Sequence, residues 1–170
     1  DRERSLIKFR NGTCRLILAT DLAARGIDVP EIEFIVHYQL PHSKQEFIHR
    51  NGRTARMNKQ GIAYVLHWEE EKLPDFIEKD HSLPISERTS NINTEWKNLF
   101  ISGGRKDKIS KGDIVGLFLK QGNLQKEELG NIELKHDCAF VAVPSAKAEI
   151  LIGLLNNSKL KKKKVRITKI

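Results

Sequence analysis

Apolar residues fall into short runs separated by polar turns along the whole chain, and the surrounding composition changes near residue 80. Residues 1–10 read as a helix with Leu6, Ile7 and Phe9 as its apolar positions. Arg15-Leu16-Ile17-Leu18-Ala19, bounded by Asn11-Gly12 and Thr20-Asp21, has the pattern of a buried parallel strand. Phe34 to Tyr38 predicts the next strand, closed by Pro41, and Gly61 to His67 a third. Between them Ser43-Lys44-Gln45-Glu46 is a capping box, so a helix begins near Lys44 and carries Phe47 and Ile48 into a core. A short helix over 69–79, around Leu73 and Phe76 with Pro74 near its first turn, completes the series. Alternating strands and helices predict an α/β domain with a parallel sheet over residues 1–80, its ligands held beyond the carboxyl ends of the strands.

From residue 81 to 95 Ser, Thr, Asn and Pro replace the apolar runs, which reads as a linker. A second module then spans 96–170. Leu99-Phe100-Ile101 predicts a strand, and Ser110 caps a helix with Asp113 at its third position and Ile114, Leu117 and Phe118 on one face. Strands follow at Ile132-Glu133-Leu134 and at Cys138 to Val143. A helix from Pro144-Ser145 turns Ile150, Leu151, Leu154 and Leu155 inward, and Val165-Arg166-Ile167 is the last strand. The order is βαββαβ, a small α+β domain.

Charge sharpens this division. Residues 1–95 carry 14 Lys and Arg against 15 Asp and Glu, whereas residues 96–170 carry 16 against 7, so the whole net charge of +8 lies in the second module. Such asymmetry is the electrostatic footprint of a nucleic-acid-binding module beside a more neutral one. The two cysteines, Cys14 and Cys138, lie in or beside apolar strand patterns and read as buried thiols in a reducing cytoplasm. No metal-ligand spacing, secretory signal or membrane-length apolar stretch is present, so no residue of the chain is assigned to a metal and no membrane is expected as a partner.

Candidate chemistry concentrates in His49-Arg50-Asn51-Gly52-Arg53-Thr54-Ala55-Arg56, three arginines and a histidine within eight residues near a predicted helix end. Arg53 and Arg56 are three apart, which on a helical turn sends both guanidiniums one way, and paired planar forks suit a phosphate. Alone, such a cluster reads as a solvated basic face. A second stretch, Ala19-Thr20-Asp21-Leu22-Ala23-Ala24-Arg25-Gly26-Ile27-Asp28, lies one strand upstream. Together the two resemble motifs V and VI of DEAD-box RNA helicases, ATDxAARGxD and HRxGRTGR. Arg2, with Phe9 and Arg10 seven and eight residues on, is similar to the arginine of that family's QxxR motif and its trailing Phe-Arg pair.

The resemblance implies a partial RecA-like helicase C-terminal domain, incomplete at its N-terminus. Arg53 and Arg56 would be the arginine fingers at the γ-phosphate, Asp28 would contact the nucleotide ribose, and Gly26 would allow a close chain turn. His49, Arg50 and Arg25 would organise the motifs, while Thr20 and Arg2 would contact the RNA backbone. ATP with Mg is the implied cofactor, bound mainly by a first RecA-like domain that this chain lacks. No GxxxxGK[ST] or DEAD stretch occurs, so the chain alone is expected not to hydrolyse ATP. Ala55 departs from the family pattern, where a second glycine is usual. If the helix continues through it, the extra methyl is harmless.

The second module has the layout of an RNA-recognition motif, in which aromatics on the central strands stack bases. Phe100 and Phe140 stand at such positions, with Cys138 and Val143 where further aromatics are usual. Gly103-Gly104-Arg105-Lys106-Asp107-Lys108-Ile109, Gly112-Asp113-Ile114-Val115-Gly116 and Leu129-Gly130-Asn131-Ile132 resemble the RNA-binding domain of DbpA-like helicases. That family's domain targets structured large-subunit ribosomal RNA. Arg105, Lys106 and Lys108 beside Phe100, then Lys161 to Lys164 with Lys163, and Arg166, are the RNA-contact candidates. The leading expectation is therefore a monomeric, cytoplasmic ATP-dependent RNA helicase that remodels ribosomal RNA. A non-enzymatic RNA-binding protein is the alternative.

Overall fold

Two parallel strands joined through a capped helix organise the first half of the chain. The computed structural model describes residues 2–24, 29, 32–54, 61–78, 81–86 and 94–170. The chain divides into two units, Ala19–Ser90 and a second made of Asp1–Leu18 with Asn91–Ile170. Residues 1–18, which the sequence reading places in the first domain, thus pack with the second.

Helix α1 spans Arg2–Arg10 and α2 Asp21–Ala24. In the Ala19–Ser90 unit, β1 (Phe34–His37) leads through α3 (Lys44–Asn51) to β2 (Ile62–Val65), and β1 pairs with β2 in parallel from Phe34↔Ile62 to His37↔Val65. The helix between them is the crossover that parallel pairing requires. Ser43 caps α3, accepting the Glu46 N–H at 3.2 Å, but the Glu46 carboxylate reaches back to the His42 N–H at 2.7 Å rather than to Ser43. Phe47 packs between His37 and Phe76, with ring centroids 5.0 and 6.0 Å away. Ile48, expected in the core, is 55% exposed.

Three further sequence expectations are corrected. Residues 15–19 form no strand: Leu16 and Leu18 are 61% and 88% exposed, because an apolar run becomes a strand only where a neighbour completes its ladder. Of the helix expected over 69–79, the described residues 69–78 form no helix, with a turn at Pro74–Ile77 closed by the Ile77 N–H on the Pro74 carbonyl at 2.9 Å. Pro74 biases Leu73 away from helical geometry and confines the turn. Cys14 and Cys138 are free and only half-buried.

The second unit holds β3 (Trp96–Ile101), α4 (Lys111–Gly116) running into a π-helical turn over Leu117–Gln121, β4 (Ile132–Leu134), β5 (Ala139–Pro144), α5 (Ala148–Leu155), a hairpin of β6 (Lys159–Leu160) and β7 (Lys163–Lys164), and β8 (Ile167–Lys169). The sheet runs β4-β5-β3-β8, all antiparallel. In module order that is second, third, first, fourth, the arrangement of an RNA-recognition motif. Leu99 and Ile101 of β3 and Ala139, Val141 and Val143 of β5 face a core closed by Ile114, Phe118, Leu151, Leu155 and Ile167. Alternation puts Asn98, Phe100, Phe140 and Ala142 on the opposite face. In α5 only Ala148, Leu151 and Leu155 are buried, and the expected Ile150 and Leu154 are 63% and 57% exposed.

Ser110 and Asp113 form the predicted reciprocal cap. The Asp113 N–H meets Ser110 Oγ at 3.2 Å, and Asp113 Oδ2 accepts the Ser110 N–H at 2.9 Å and its hydroxyl at 2.6 Å. The Ser110 hydroxyl, then its N–H, then Lys161 hold the Asp113 carboxyl down at about 2. A depressed carboxylate contributes stability above its unfolded value near 4, lost as pH falls toward about 2. Thermal melts of Asp113→Asn should therefore show a shallower loss between about pH 4 and 2 than wild type, while Ser110→Ala should cost about 0.5–2 kcal/mol at neutral pH.

Candidate nucleotide and RNA sites

Arg50 is the hub of the first unit. Its guanidinium forks onto Asp21, with Nε to Oδ1 at 2.6 Å and Nη2 to Oδ2 at 2.9 Å, and also donates to the Gln39 carbonyl at 2.9 Å and to Glu46 Oε1 at 2.8 Å. Hydrogen bonding to Asp21, helped by Glu46 and opposed by burial, pushes its pKa further up. This fork joins the two motif stretches, since Asp21 belongs to one and Arg50 to the other. Asp21 was not among the sequence candidates; only its place inside the motif could have signalled it.

Beyond Arg50 the helix stops at Asn51, whose Oδ1 lies 2.8 Å from Nε2 of the buried His37. Burial, more than any charge, lowers the His37 pKa. Arg53 therefore sits in a turn rather than on the helix, with its N–H on the Arg50 carbonyl at 3.2 Å. The next residue, Thr54, bridges to Ile32 and donates its hydroxyl to the Ile32 carbonyl at 2.6 Å. The chain has left helical geometry by Thr54, and Ala55 lies outside the described residues. Arg53 is held between two anchors and is half-buried, whereas His49 and Thr20 are exposed, as is Arg2 on α1. Arg25, Gly26, Asp28 and Arg56 lie outside the described residues.

In the second unit the candidate cations gather along one edge. Gly103 and Gly104 lead into a tight turn over Arg105–Asp107, anchored by the Arg105 and Lys106 N–H groups on the Lys135 and His136 carbonyls at 3.0 and 2.8 Å. Asp107 Oδ2 accepts Lys163 Nζ at 2.8 Å and the Gly104 N–H at 3.1 Å, which hold its carboxyl below the usual range. Lys163 is therefore partly neutralised, as is Lys161 by Asp113 at 3.0 Å. Arg166 joins the same edge through reciprocal bonds with Ser102 at 2.8 and 2.9 Å. Arg105, Lys106, Lys108, Lys162, Lys164 and Arg166 are exposed and have no ion-pair partner among the described residues. These cations can neutralise phosphates, which gives affinity without sequence information.

Phe100 and Phe140 are cross-strand partners meeting edge to face, 5.7 Å between centroids. Phe140 is only 5% exposed although it points away from the core, and Phe100 is half-buried. No described helix is long and apolar enough to cross a membrane.

Residues 1–58 match the helicase conserved C-terminal domain and residues 98–169 the DbpA RNA binding domain. The chain is similar to the ATP-dependent RNA helicase DbpA of Escherichia coli (strain K12), 31% identical over 98% of this chain and 38% of the relative. It is 27% identical to the ATP-dependent RNA helicase DbpA of Bacillus subtilis (strain 168), over 99% of this chain and 42% of the relative. A plant protein, the mitochondrial DEAD-box ATP-dependent RNA helicase 9 of Arabidopsis thaliana, is 44% identical over 46% of this chain and 13% of the relative. The chain thus spans roughly two fifths of the length of the two DbpA relatives. With both domains in the same order and similarity along its whole length, the chain belongs with the C-terminal part of DbpA-like DEAD-box RNA helicases.

Proposed function

We propose that this chain is the C-terminal part of an ATP-dependent RNA helicase that remodels structured RNA, with ribosomal RNA during large-subunit assembly as its substrate. The observation that carries the reading is the Arg50–Asp21 fork, which ties the two motif stretches of the helicase unit together, in one chain with an RNA-recognition module edged by exposed cations. Arg53 and Arg56 supply fixed positive charge to the γ-phosphate, and Asp28 and Gly26 hold the ribose end of ATP. Mg²⁺ and most nucleotide contacts belong to a first RecA-like domain. Arg50, Arg25 and His49 keep the motifs in register. Thr20 and Arg2 touch the RNA backbone, and Arg105, Lys106, Lys108, Lys163 and Arg166 anchor the target RNA. The protein works as a cytoplasmic monomer.

RNA-stimulated ATP hydrolysis by the whole protein tests this. Turnover should rise several-fold more with large-subunit ribosomal RNA than with an equal mass of unrelated duplex RNA. No hydrolysis by the whole protein, with or without RNA, would leave a non-enzymatic RNA-binding protein instead.

A further inference from the structure

The outer face of the second unit's sheet is where an RNA-recognition motif stacks unpaired bases, yet here it is covered from within the chain. Register aligns Glu133, Phe140, Phe100 and Thr168 in one row across the four strands. Asn98 and Ala142, also on that face, are each 1% exposed. The cover is α1 and the turn after it. Arg10 forks onto Glu133, Nε to Oε1 at 2.9 Å and Nη2 to Oε2 at 2.8 Å, at the end of the Phe140 row. Asn11 donates to Asn98 Oδ1 at 2.7 Å and accepts from Asn131 at 2.9 Å, while Asn98 donates to the Thr13 hydroxyl at 2.8 Å. Lys135 reaches Glu3 at 2.9 Å, and Ile7 is fully buried.

The two faces of the sheet are held differently. Beneath it the core is wholly apolar, as befits a permanent layer. Above it Ile7 is the only fully buried residue of α1, Leu6 and Phe9 are half-buried, and the attachments around them include amide, hydroxyl and carboxylate bonds that water can replace. A helix of nine residues is also too short to be stable undocked, so release would melt it.

We propose that residues 2–13 form an intramolecular cap, latched by Arg10 on Glu133, that competes with single-stranded RNA for the Phe100 and Phe140 face. The proposal rests on the RNA-binding reading above and adds its regulation. The apparent affinity for unpaired bases is the intrinsic affinity scaled by the fraction of chains with the cap open. Because residues 1–58 match the helicase domain, the cap also makes a helix of that domain answer to RNA on the module.

The test is equilibrium binding of a twelve-nucleotide oligo(U) and of a ribosomal RNA hairpin to the 170-residue chain. Arg10→Glu replaces the latch with repulsion and should tighten oligo(U) binding about tenfold, although it makes the chain less basic and would otherwise weaken it. Pairing it with Glu133→Arg should restore wild-type affinity, and adding Phe100→Ala to Arg10→Glu should remove the gain. In the wild-type chain, saturating oligo(U) should speed amide exchange in residues 3–13 while β3 and β5 stay protected. No gain in Arg10→Glu, a gain that survives Phe100→Ala, or unchanged exchange in the cap would each overturn it. Failure to bind either RNA would sink the RNA-binding reading itself, whereas hairpin binding without the oligo(U) gain would sink the cap alone.

Discussion

Replacing Arg53 by alanine in the whole protein should lower RNA-stimulated ATP hydrolysis by about 10³-fold or more, with RNA affinity little changed. In phosphoryl transfer the protein acts by positioning and by charge fixed where negative charge develops, so a finger matters only if it is already in place. The backbone of Arg53 is fixed as that proposed role requires. It is held on one side by the Arg50 carbonyl and on the other by Thr54, bridged to Ile32. Arg50 cannot take over, because its donors are committed to Asp21, Glu46 and Gln39. Arg53→Lys should recover little, since an ammonium lacks the planar fork. Single-turnover hydrolysis with RNA at saturation separates the chemical step from binding, and undiminished turnover would remove the finger assignment.

The second large effect is structural. Gly104→Ala should destabilise the second unit by about 3 kcal/mol or more, the upper end for overpacking, and lower its melting temperature by roughly 10–20 °C. Gly104 is extended, so no unusual backbone angle calls for glycine there. What does is the close approach of another strand end: a methyl would sit 2.5 Å from the His136 carbonyl oxygen and 2.6 Å from the Cys138 nitrogen. These are backbone atoms that cannot swing aside, and the Arg105 and Lys106 N–H groups bond the same segment. Gly116→Ala is the control. A methyl there meets nothing within 4 Å, so the variant should be neutral or up to about 1 kcal/mol more stable. A calorimetric melt of the three chains decides it.

The second unit was largely legible because its strands alternate: Leu99 and Ile101 point one way, Asn98 and Phe100 the other, and the partner strands repeat the pattern. Legibility failed where a run was apolar all round. In Ala148 to Leu155 apolar residues crowd several positions, so the inward face read as Ile150, Leu151, Leu154 and Leu155, whereas the structure buries Leu151 and Leu155 and leaves Ile150 and Leu154 in solvent. The run at 15–19 and the segment around Pro74 looked regular locally, but no tertiary partner makes either so. At the candidate site, residue types and spacing pointed to Arg50 and Arg53. The fork from Arg50 to Asp21, 29 positions away, and the end of α3 before Arg53 are decided by packing. So is the destination of α1. Leu6, Ile7 and Phe9 announced that the helix buries something, and nothing in their spacing said that it would lie on the Phe140 face of the second module.

Binding of the 170-residue chain to large-subunit ribosomal RNA fragments across a salt series, with an unrelated hairpin as control, bears most directly on the claim that this is the targeting end of an RNA helicase. Both affinities should fall as salt rises, because the exposed edge around Arg105, Lys106 and Arg166 displaces counterions, and a preference for the ribosomal fragment should survive at moderate salt. Equal affinities that collapse together would contradict it, leaving the basic edge a sequence-blind electrostatic anchor.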